Sequence, residues 1–280
     1  MDLAHALFFA AGTDSVDGRR IPTILSGEGK AMSDDPGQAT VYAVLAGAGG
    51  VGGALCRRLA ASGHTVIVGG RRAEPVHALA DEIGGVPFEV DGRDFDRVEE
   101  MLDRAGDEGR LAGVANCAGS LLLKPAHLTT RQELEETVGA NLETAFAVVR
   151  AAGRKMRSGG SVVLVSSAAA SIGLPNHEAI AAAKGAVAGL TRAAAATYAS
   201  RGLRVNAVAP GLVETPMTER IVRNERALES SKSLHALGRV GTADEVAAAI
   251  AWLLDGESAW ITGQVWGVDG GLATLRSMRS

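Results

Sequence analysis

The chain has 280 residues, of which 46% are hydrophobic and only 4% aromatic, and its formal net charge is −4 at pH 7. These values allow a sizeable core in one domain or two, and they argue against a basic surface for nucleic acid or an anionic membrane. The two cysteines, Cys56 and Cys117, have neither disulfide nor metal-ligand spacing. We therefore expect no metal site and a reducing compartment, the cytoplasm.

The N-terminal segment differs from the rest of the chain. Its apolar stretch at residues 4–12 is too short to span a bilayer, and it follows Asp2 instead of the basic segment of a secretory signal. The residues after it have no hydrophobic period and many turn formers. We predict a flexible extension over residues 1 to 38. One alternative is that the start of the chain was assigned too early, with Met32 as the natural first residue. The other is an arm that packs on another subunit.

From Val41 onward, short valine-rich runs alternate with longer segments whose apolar residues recur three and four positions apart. The strand-like runs are residues 41–47, 65–70, 86–92, 111–119, 160–167, 203–210 and 264–271. Apolar strands joined by helices predict a parallel sheet that is covered on both faces. Residues 39–280 are therefore predicted to form a single-domain α/β Rossmann fold, a doubly wound seven-stranded parallel sheet. Such a sheet binds its ligand beyond the carboxyl ends of the strands.

The first predicted strand is followed by a glycine turn and a helix. Gly47, Gly49 and Gly52 fit the spacing Gly-x-Gly-x-x-Gly, which lets the backbone turn sharply and a pyrophosphate approach the amides of the helix start. Because the pattern lies inside a β-α-β unit of the right length, it favours a dinucleotide site over a tight turn alone.

The tip of the second predicted strand distinguishes the two nicotinamide cofactors. An acid there accepts hydrogen bonds from the adenosine ribose, whereas an arginine pairs with a 2′-phosphate. The sequence has Arg71 and Arg72 at this point and no acid before Glu74. This favours NADP over NAD, with Arg71 as the phosphate partner, and two solvated arginines at a helix start are the alternative.

Four further motifs follow in order: NCAG (116–119), ANLETAF (140–146), SVVLVSSAAASIG (161–173) and VNAVAPGLVETPM (205–217). Together with the glycine turn they resemble the short-chain dehydrogenase/reductase superfamily over roughly residues 40–272. The resemblance implies that the cofactor is also held by Asp91, Asn116, Ala118, Gly119, Lys184, Pro210, Gly211 and Thr215. It implies active-site roles for Ser167, Asn141 and Lys184. The alternatives are a strand-end serine for Ser167 and a polar residue inside a helix for Asn141.

The chain departs from the family pattern at two places. In the glycine turn, Ala46 stands where the family has threonine and the loop is one residue shorter, which leaves the phosphate contacts intact. The family also has a catalytic tyrosine, thirteen residues after the serine and four before the lysine. From Ser167 and from Lys184 both spacings lead to Ile180, which cannot transfer a proton.

Neither tyrosine of the chain is predicted to replace the missing one. Tyr42 lies inside the first predicted strand, and Tyr198 lies eighteen residues beyond Ile180 on one predicted helix, roughly 27 Å away at the rise of an α-helix. His177 is the candidate donor, since the enoyl-reductase branch of the family places its tyrosine seven residues before the lysine and imidazole titrates near neutrality. Glu178 is a candidate to orient this histidine. The alternatives are a loop histidine on the cleft rim and, for Glu178, a residue that only favours the helix start.

These motifs predict an NADP-dependent oxidoreductase that transfers hydride to a carbonyl, an activated C=C or an iminium carbon, with atypical proton delivery by His177 or water. A general acid contributes about 10²–10⁴ in rate, so weak activity on simple ketones is expected. The alternatives are a non-catalytic NADP-binding sensor or partner subunit, and a lyase or epimerase. Residues 215–240 are predicted to form a mobile lid. The resemblance implies a homodimer or homotetramer paired through the helices around 137–157 and 178–200, a small-molecule substrate, and no nucleic-acid or membrane partner.

Overall fold

The computed structural model describes residues 38–276, and from Gln38 onward the chain forms one compact unit. The extension predicted for residues 1 to 38 lies outside this range, apart from Gln38, and stays a prediction.

Nine strands occur in the described residues. They are β1 (Thr40–Leu45), β2 (Thr65–Gly70), β3 (Val86–Glu89), β4 (Arg110–Asn116), β5 (Gly160–Val165), β6 (Leu203–Pro210), β7 (Val213–Glu214), β8 (Gly241–Thr242) and β9 (Val265–Val268). Seven of them form a sheet in the order β3-β2-β1-β4-β5-β6-β9, and every pair in it is parallel. The predicted seven-stranded parallel sheet is confirmed. A separate pair, β7 with β8, was not predicted from the sequence.

The same residues contain nine α-helices. They are α1 (Gly50–Ala61), α2 (Ala73–Ile83), α3 (Phe95–Glu108), α4 (Arg131–Val138), α5 (Thr144–Lys155), α6 (Glu178–Tyr198), α7 (Glu219–Val222), α8 (Glu225–Leu234) and α9 (Ala243–Leu254). A five-residue π-helical segment, Gly139–Glu143, joins α4 to α5. None of the helices within residues 38–276 is long and apolar enough to cross a membrane.

The strands are apolar on both faces because each face is covered by helices. Alternate residues of a strand point to opposite faces, and β1 shows this directly: Val41 and Leu45 pack with α3, α5 and α6, whereas Tyr42 and Val44 pack with α1, α2 and α9. The strand order reverses between β1 and β4, so a crevice opens there at the carboxyl edge of the sheet.

Side chains cap several helices but not the first. Asp94 accepts from two amides of α3, and Thr130 and Thr242 form capping boxes with the glutamates of α4 and α9. At the start of α1, Gly49 offers no side-chain cap and the first turn contains no acid. The amides of the first turn of α1 therefore lack the side-chain acceptors that α3, α4 and α9 have.

Candidate active site

The predicted site residues follow successive strands of the sheet at its carboxyl edge. Arg71 follows β2 directly, Asn116 is the last residue of β4, Ser167 lies two residues after β5, and Pro210 ends β6. Since all these strands are parallel, the residues share one edge, beside the crevice where the strand order reverses.

The glycine turn is closed by very short backbone contacts. A Cβ atom at position 52 would lie 2.2 Å from the carbonyl oxygen of Ala46, so only glycine fits there. Gly47 is less confined, since its Cβ would lie 3.0 Å from Val44 O and 3.1 Å from Cys56 Sγ. Gly49 is exposed, with Ala46 O at 3.2 Å from its Cβ position, and it leaves one side of the turn open.

The left-handed residue of this turn is Ala46, with φ of 57°, and not one of the three glycines. A left-handed alanine costs roughly 1 kcal/mol relative to glycine. The replacement of the family's threonine by Ala46 gave no indication of this backbone conformation. The turn keeps its shape through the hydrogen bond from Gly49 N to Ala46 O, at 3.0 Å.

The start of α1 fits a pyrophosphate because its amides are uncapped and no acid competes for them. Thr215 lies over it: a Cβ atom at Gly50 would meet Thr215 Cγ2 at 2.7 Å and Pro216 Cδ at 3.3 Å. The segment that carries Thr215 and Pro216 therefore packs on the first residue of α1.

Arg71 and Asp91 share an open cavity of about 330 Å³ with Glu89, Val90 and Arg97. Arg97 is engaged by Glu100 and by the carbonyl oxygen of Glu89, and its guanidinium lies 4.8 Å from the centre of the Phe88 ring. Asp91 accepts from Arg93 N at 3.0 Å. Arg71 is exposed and forms no ion pair among the described residues, so its charge is available to an anion in this cavity.

Asn116 fixes the loop after β4. Its Nδ2 donates to Thr144 Oγ1 at 3.2 Å, and its Oδ1 accepts from Ala118 N at 3.0 Å. Thr144, the first residue of α5, is a partner that the sequence did not reveal, because it is 28 residues away. Ala118 and Gly119 are held beside the sheet edge by these bonds.

Asn141 lies in the π-helical segment between α4 and α5 and is 1% exposed. Its Nδ2 donates to Thr137 O at 2.8 Å and lies 3.2 Å from Ser120 Oγ, while its Oδ1 accepts from Ser120 N at 3.4 Å. Single-turn π segments occur frequently at functional sites. Asn141 therefore holds the loop after β4 from the helix side, and Ser120 is a second residue that sequence reasoning missed.

Lys184 is buried next to this loop. Its Nζ donates to Val165 O at 2.7 Å and lies 3.5 Å from the Cβ position of Gly119. Burial lowers the pKa of the Lys184 amine to about 8, and burial raises the pKa of the neighbouring Cys117 thiol to about 12. The structure thus brings Gly119, Asn141 and Lys184 together.

Ser167 and His177 form their hydrogen bonds with residues outside the cluster of Gly119, Asn141 and Lys184. Ser167 Oγ accepts from Ala169 N at 3.2 Å and caps a short 3₁₀ turn. His177 is half-buried at the N-cap of α6, and its Nδ1 lies 2.8 Å from Pro175 O. Within residues 38–276, His177 forms no hydrogen bond with Ser167, Asn141 or Lys184.

Ile180 is 4% exposed on α6, one turn before Lys184. Both tyrosines lie elsewhere. Tyr42 is buried in β1 against the ring of His64, and Tyr198 ends α6 with Arg201 over its ring at 4.7 Å.

The predicted lid, residues 215–240, is the segment between β7 and β8 and contains α7 and α8. Its two ends meet where Val213 pairs with Gly241. His235, at the end of α8, accepts from Leu212 N at 3.1 Å and so attaches the segment to the loop after β6.

No group of three His, Cys, Asp or Glu side chains in residues 38–276 is placed to hold a metal ion. A doubly wound parallel sheet, with a glycine turn and an uncapped helix at its switch point, defines the class of Rossmann dinucleotide-binding proteins.

Comparisons with known proteins narrow this class. A family model described as enoyl-(acyl carrier protein) reductase matches residues 45–273. The 3-oxoacyl-(acyl-carrier-protein) reductase FabG of Thermotoga maritima is 37% identical over 242 residues, which cover 83% of this chain and 97% of that protein. The galactitol 2-dehydrogenase (L-tagatose-forming) of Cereibacter sphaeroides is 35% identical over 237 residues, covering 82% and 93%.

Solved structures agree with these relatives. A short-chain type dehydrogenase/reductase from Mycobacterium ulcerans has a TM-score of 0.80 and 30% identity, covering 85% of this chain and 91% of that one. ElxO with NADP bound has a TM-score of 0.79 and 25% identity, covering 85% and 100%. The chain belongs to the short-chain dehydrogenase/reductase superfamily, whose members are oxidoreductases that bind NAD or NADP.

Proposed function

We propose that this protein is an NADP-dependent oxidoreductase that reduces a carbonyl, an activated C=C or an iminium carbon without a catalytic tyrosine. The observation that carries the proposal is the cluster of Lys184, Asn141 and Gly119 beside the cofactor crevice. The family resemblance gives active-site roles to Lys184 and Asn141 and a cofactor-binding role to Gly119, while Ile180 stands at the tyrosine position by two independent spacings.

The preference for NADP rests on Arg71. Its guanidinium is exposed, forms no ion pair within residues 38–276, and borders the cavity next to Asp91, where the family resemblance puts the adenosine. A hydrogen bond to a charged group contributes about 1.5–3 kcal/mol, which corresponds to roughly 10- to 100-fold in affinity. The solved structure of ElxO, to which this chain is similar, has NADP bound, and this supports the preference for NADP.

The cofactor preference is tested by fluorescence titration of NADPH and NADH. We expect tighter binding of NADPH, and Arg71→Ala is expected to raise the Kd of NADPH about 10- to 100-fold while leaving that of NADH nearly unchanged. Arg72→Ala is the matched control, because Arg72 is also exposed, at the N-cap of α2. Equal or tighter binding of NADH by the unaltered protein contradicts the proposal.

The reaction is tested on panels of carbonyl, enone and imine substrates with NADPH. Weak turnover of simple ketones is expected, and iminium carbons are favoured because no oxygen needs a proton there. On the best substrate, His177→Phe tests whether this histidine delivers the proton; full turnover by the variant excludes it.

A non-catalytic role as a sensor or partner subunit is the second candidate, and the buried Ile180 favours it. It is supported if NADPH binds and no member of any panel consumes it.

A further inference from the structure

His235 is a buried histidine near the end of the predicted lid, directly after α8, and it is 2% exposed. Both of its ring nitrogens meet the main chain. Nδ1 lies 2.7 Å from Ser231 O in the last turn of α8, and Nε2 lies 3.1 Å from Leu212 N in the loop after β6. A carbonyl oxygen only accepts and an amide N–H only donates. These two contacts therefore fit the neutral ring with its proton on Nδ1.

The ring lies directly against Gly211. A Cβ atom at this position would lie 2.4 Å from His235 Nε2 and 3.2 Å from the Cα atom of Asp269. Both distances are far too short for a side chain. The absence of a side chain at position 211 is therefore what lets the lid histidine reach the amide of the next residue, Leu212.

The bond to Leu212 connects two parts of the site. Leu212 is followed by β7, and β7 leads to Thr215, which packs on the first residue of α1. The other partner of the bond, His235, lies at the opposite end of the lid in the sequence. One hydrogen bond thus joins the end of the lid to the segment that carries Thr215.

We propose that His235 is a positioning residue for the reaction, whose neutral imidazole holds the lid in place and whose protonation releases it. The inference rests on the proposed oxidoreductase function, because it gives the lid a role over a substrate. A proton added to Nε2 places one N–H donor against another, that of Leu212, and the bond is lost. Since histidine changes its charge between about pH 5 and 8, we expect the lid to be attached at the upper end of this range and released at the lower end.

Three charged residues share a cavity of about 380 Å³ with His235: Arg239, Glu245 and Asp269. Arg239 pairs with Glu245, whose carboxylate also takes part in the capping box of α9. Asp269 accepts hydrogen bonds from two backbone amides and forms no ion pair within residues 38–276. Asp269 is therefore the charge available to a protonated ring that has lost the Leu212 bond.

The other elements packed against the ring add no unpaired charge. On α8, Lys232 and Glu229 pair with each other. The loop after β6, residues 210–213, has no charged side chain. The protonation of His235 is thus the charge change that bears directly on the Leu212 bond.

The first experiment follows the lid without any turnover. Hydrogen exchange of the full chain is measured by mass spectrometry between pH 5 and pH 8, on peptides that cover residues 211–237, and each rate is divided by the intrinsic rate at that pH. We expect protection of this segment to fall as the pH falls. Protection that stays constant over this range overturns the proposal.

Two substitutions of the histidine separate its protonation from its bulk. His235→Gln keeps a neutral acceptor for Leu212 N but cannot be protonated, so its protection is expected to be independent of pH. His235→Leu fills the space without an acceptor and is expected to lose protection already at pH 8. His127→Gln makes the same change at an exposed histidine in a 3₁₀ turn and is expected to keep the pH dependence of the unaltered protein.

Either of two results from these variants overturns the proposal. A pH dependence that persists in His235→Gln assigns the titration to another group. Full protection of His235→Leu at pH 8 shows that the ring only fills space.

The second experiment measures kcat and KM at pH 8 on the best substrate of the panels. The loss of one hydrogen bond in His235→Leu is expected to raise KM about 2- to 10-fold with kcat nearly unchanged, because the lid covers the substrate and supplies no reacting group. His235→Gln is expected to restore the KM of the unaltered protein.

The outcomes separate this inference from the proposed function. A KM that is the same in all three proteins, although lid exchange follows His235, overturns the positioning role and leaves the oxidoreductase function standing. No turnover by the unaltered protein on any panel overturns both the oxidoreductase function and the positioning role, even where the exchange data show the pH-dependent attachment.

Discussion

The amine of Lys184 is ionised at neutral pH in a buried place, where Val165 O is its one hydrogen-bond partner among the described residues, and this makes stability depend on pH. The unfolded chain has the ordinary lysine pKa, about 10.4, and folding lowers it to about 8. Between these values the unfolded state binds more protons than the folded state, so stability rises as the pH rises. The gain is at most about 3 kcal/mol.

Urea denaturation at pH 7 and pH 10 measures this effect. The free energy of unfolding of the unaltered protein is expected to increase between these pH values relative to that of Lys184→Met, which has no group to titrate at this position. A constant difference between the two proteins would show that the amine keeps its ordinary pKa on folding.

Two glycine substitutions are expected to act in opposite directions. Gly52→Ala places a methyl group 2.2 Å from Ala46 O, a backbone atom that cannot turn away. Overpacking of this kind costs about 1–3 kcal/mol, and cofactor binding is lost with the shape of the turn. Gly106→Ala in α3 meets nothing within 4 Å and is expected to stabilise the fold by about 0.5–1 kcal/mol. Thermal unfolding checks whether Gly52→Ala lowers the Tm and Gly106→Ala raises it. A Tm change of the same direction and size in both variants would contradict this expectation.

At the scale of elements, the start of α1 offers a direct test of the phosphate site. Gly49 has φ of −81° and ψ of 178°, an extended conformation that an aspartate adopts readily. Gly49→Asp supplies the missing cap, which contributes up to about 1 kcal/mol, and it places a carboxylate where the pyrophosphate is proposed to bind. The protein without cofactor is expected to keep its stability, while the Kd of NADPH rises at least about tenfold.

Gly49→Ala is the matched control, since it adds the same Cβ atom without the charge. Titration of NADPH into both variants, with thermal unfolding alongside, separates the two effects. If the alanine variant weakens binding as much as the aspartate variant, the steric contact with Ala46 O is responsible instead of the charge.

The elements also show how far the sequence could be interpreted. The short apolar runs in the sequence located all seven strands of the main sheet, because a strand covered on both faces is apolar throughout. They extended β1 to residue 47, whereas the strand ends at Leu45 because Ala46 turns left-handed. The limits of the predicted lid, 215–240, coincide with the segment between β7 and β8.

Features that depend on distant contacts were missed. Asn116 meets Thr144 and Asn141 meets Ser120 only after the loop following β4 packs on α5 and the π segment. Neither partner has a local pattern that marks it. A short π segment also has no hydrophobic pattern that separates it from an α-helix in the sequence. One helix around residues 137–157 was therefore predicted, whereas the structure has a π segment at Gly139–Glu143 followed by α5, which ends at Lys155.

At the scale of the whole molecule, the assembly into a homodimer or homotetramer remains a proposal, and α5 offers a surface to test it. Phe146 is 49% exposed there, and its ring stacks on that of Phe95 at 6.0 Å. A large aromatic side chain that is half exposed on a helix is typical of an interface. The predicted pairing of α5 and α6 with a second copy of the chain would cover it.

Phe146→Glu is expected to abolish this pairing, because a carboxylate in an apolar interface loses its hydration without gaining a partner. Light scattering after size-exclusion chromatography should then give a smaller mass than that of the unaltered protein. Leu237→Glu makes a comparable change at a residue 70% exposed outside both helices, and it is expected to keep the pairing through α5 and α6. If the unaltered protein is oligomeric and Phe146→Glu leaves its mass unchanged, the interface does not include this surface of α5.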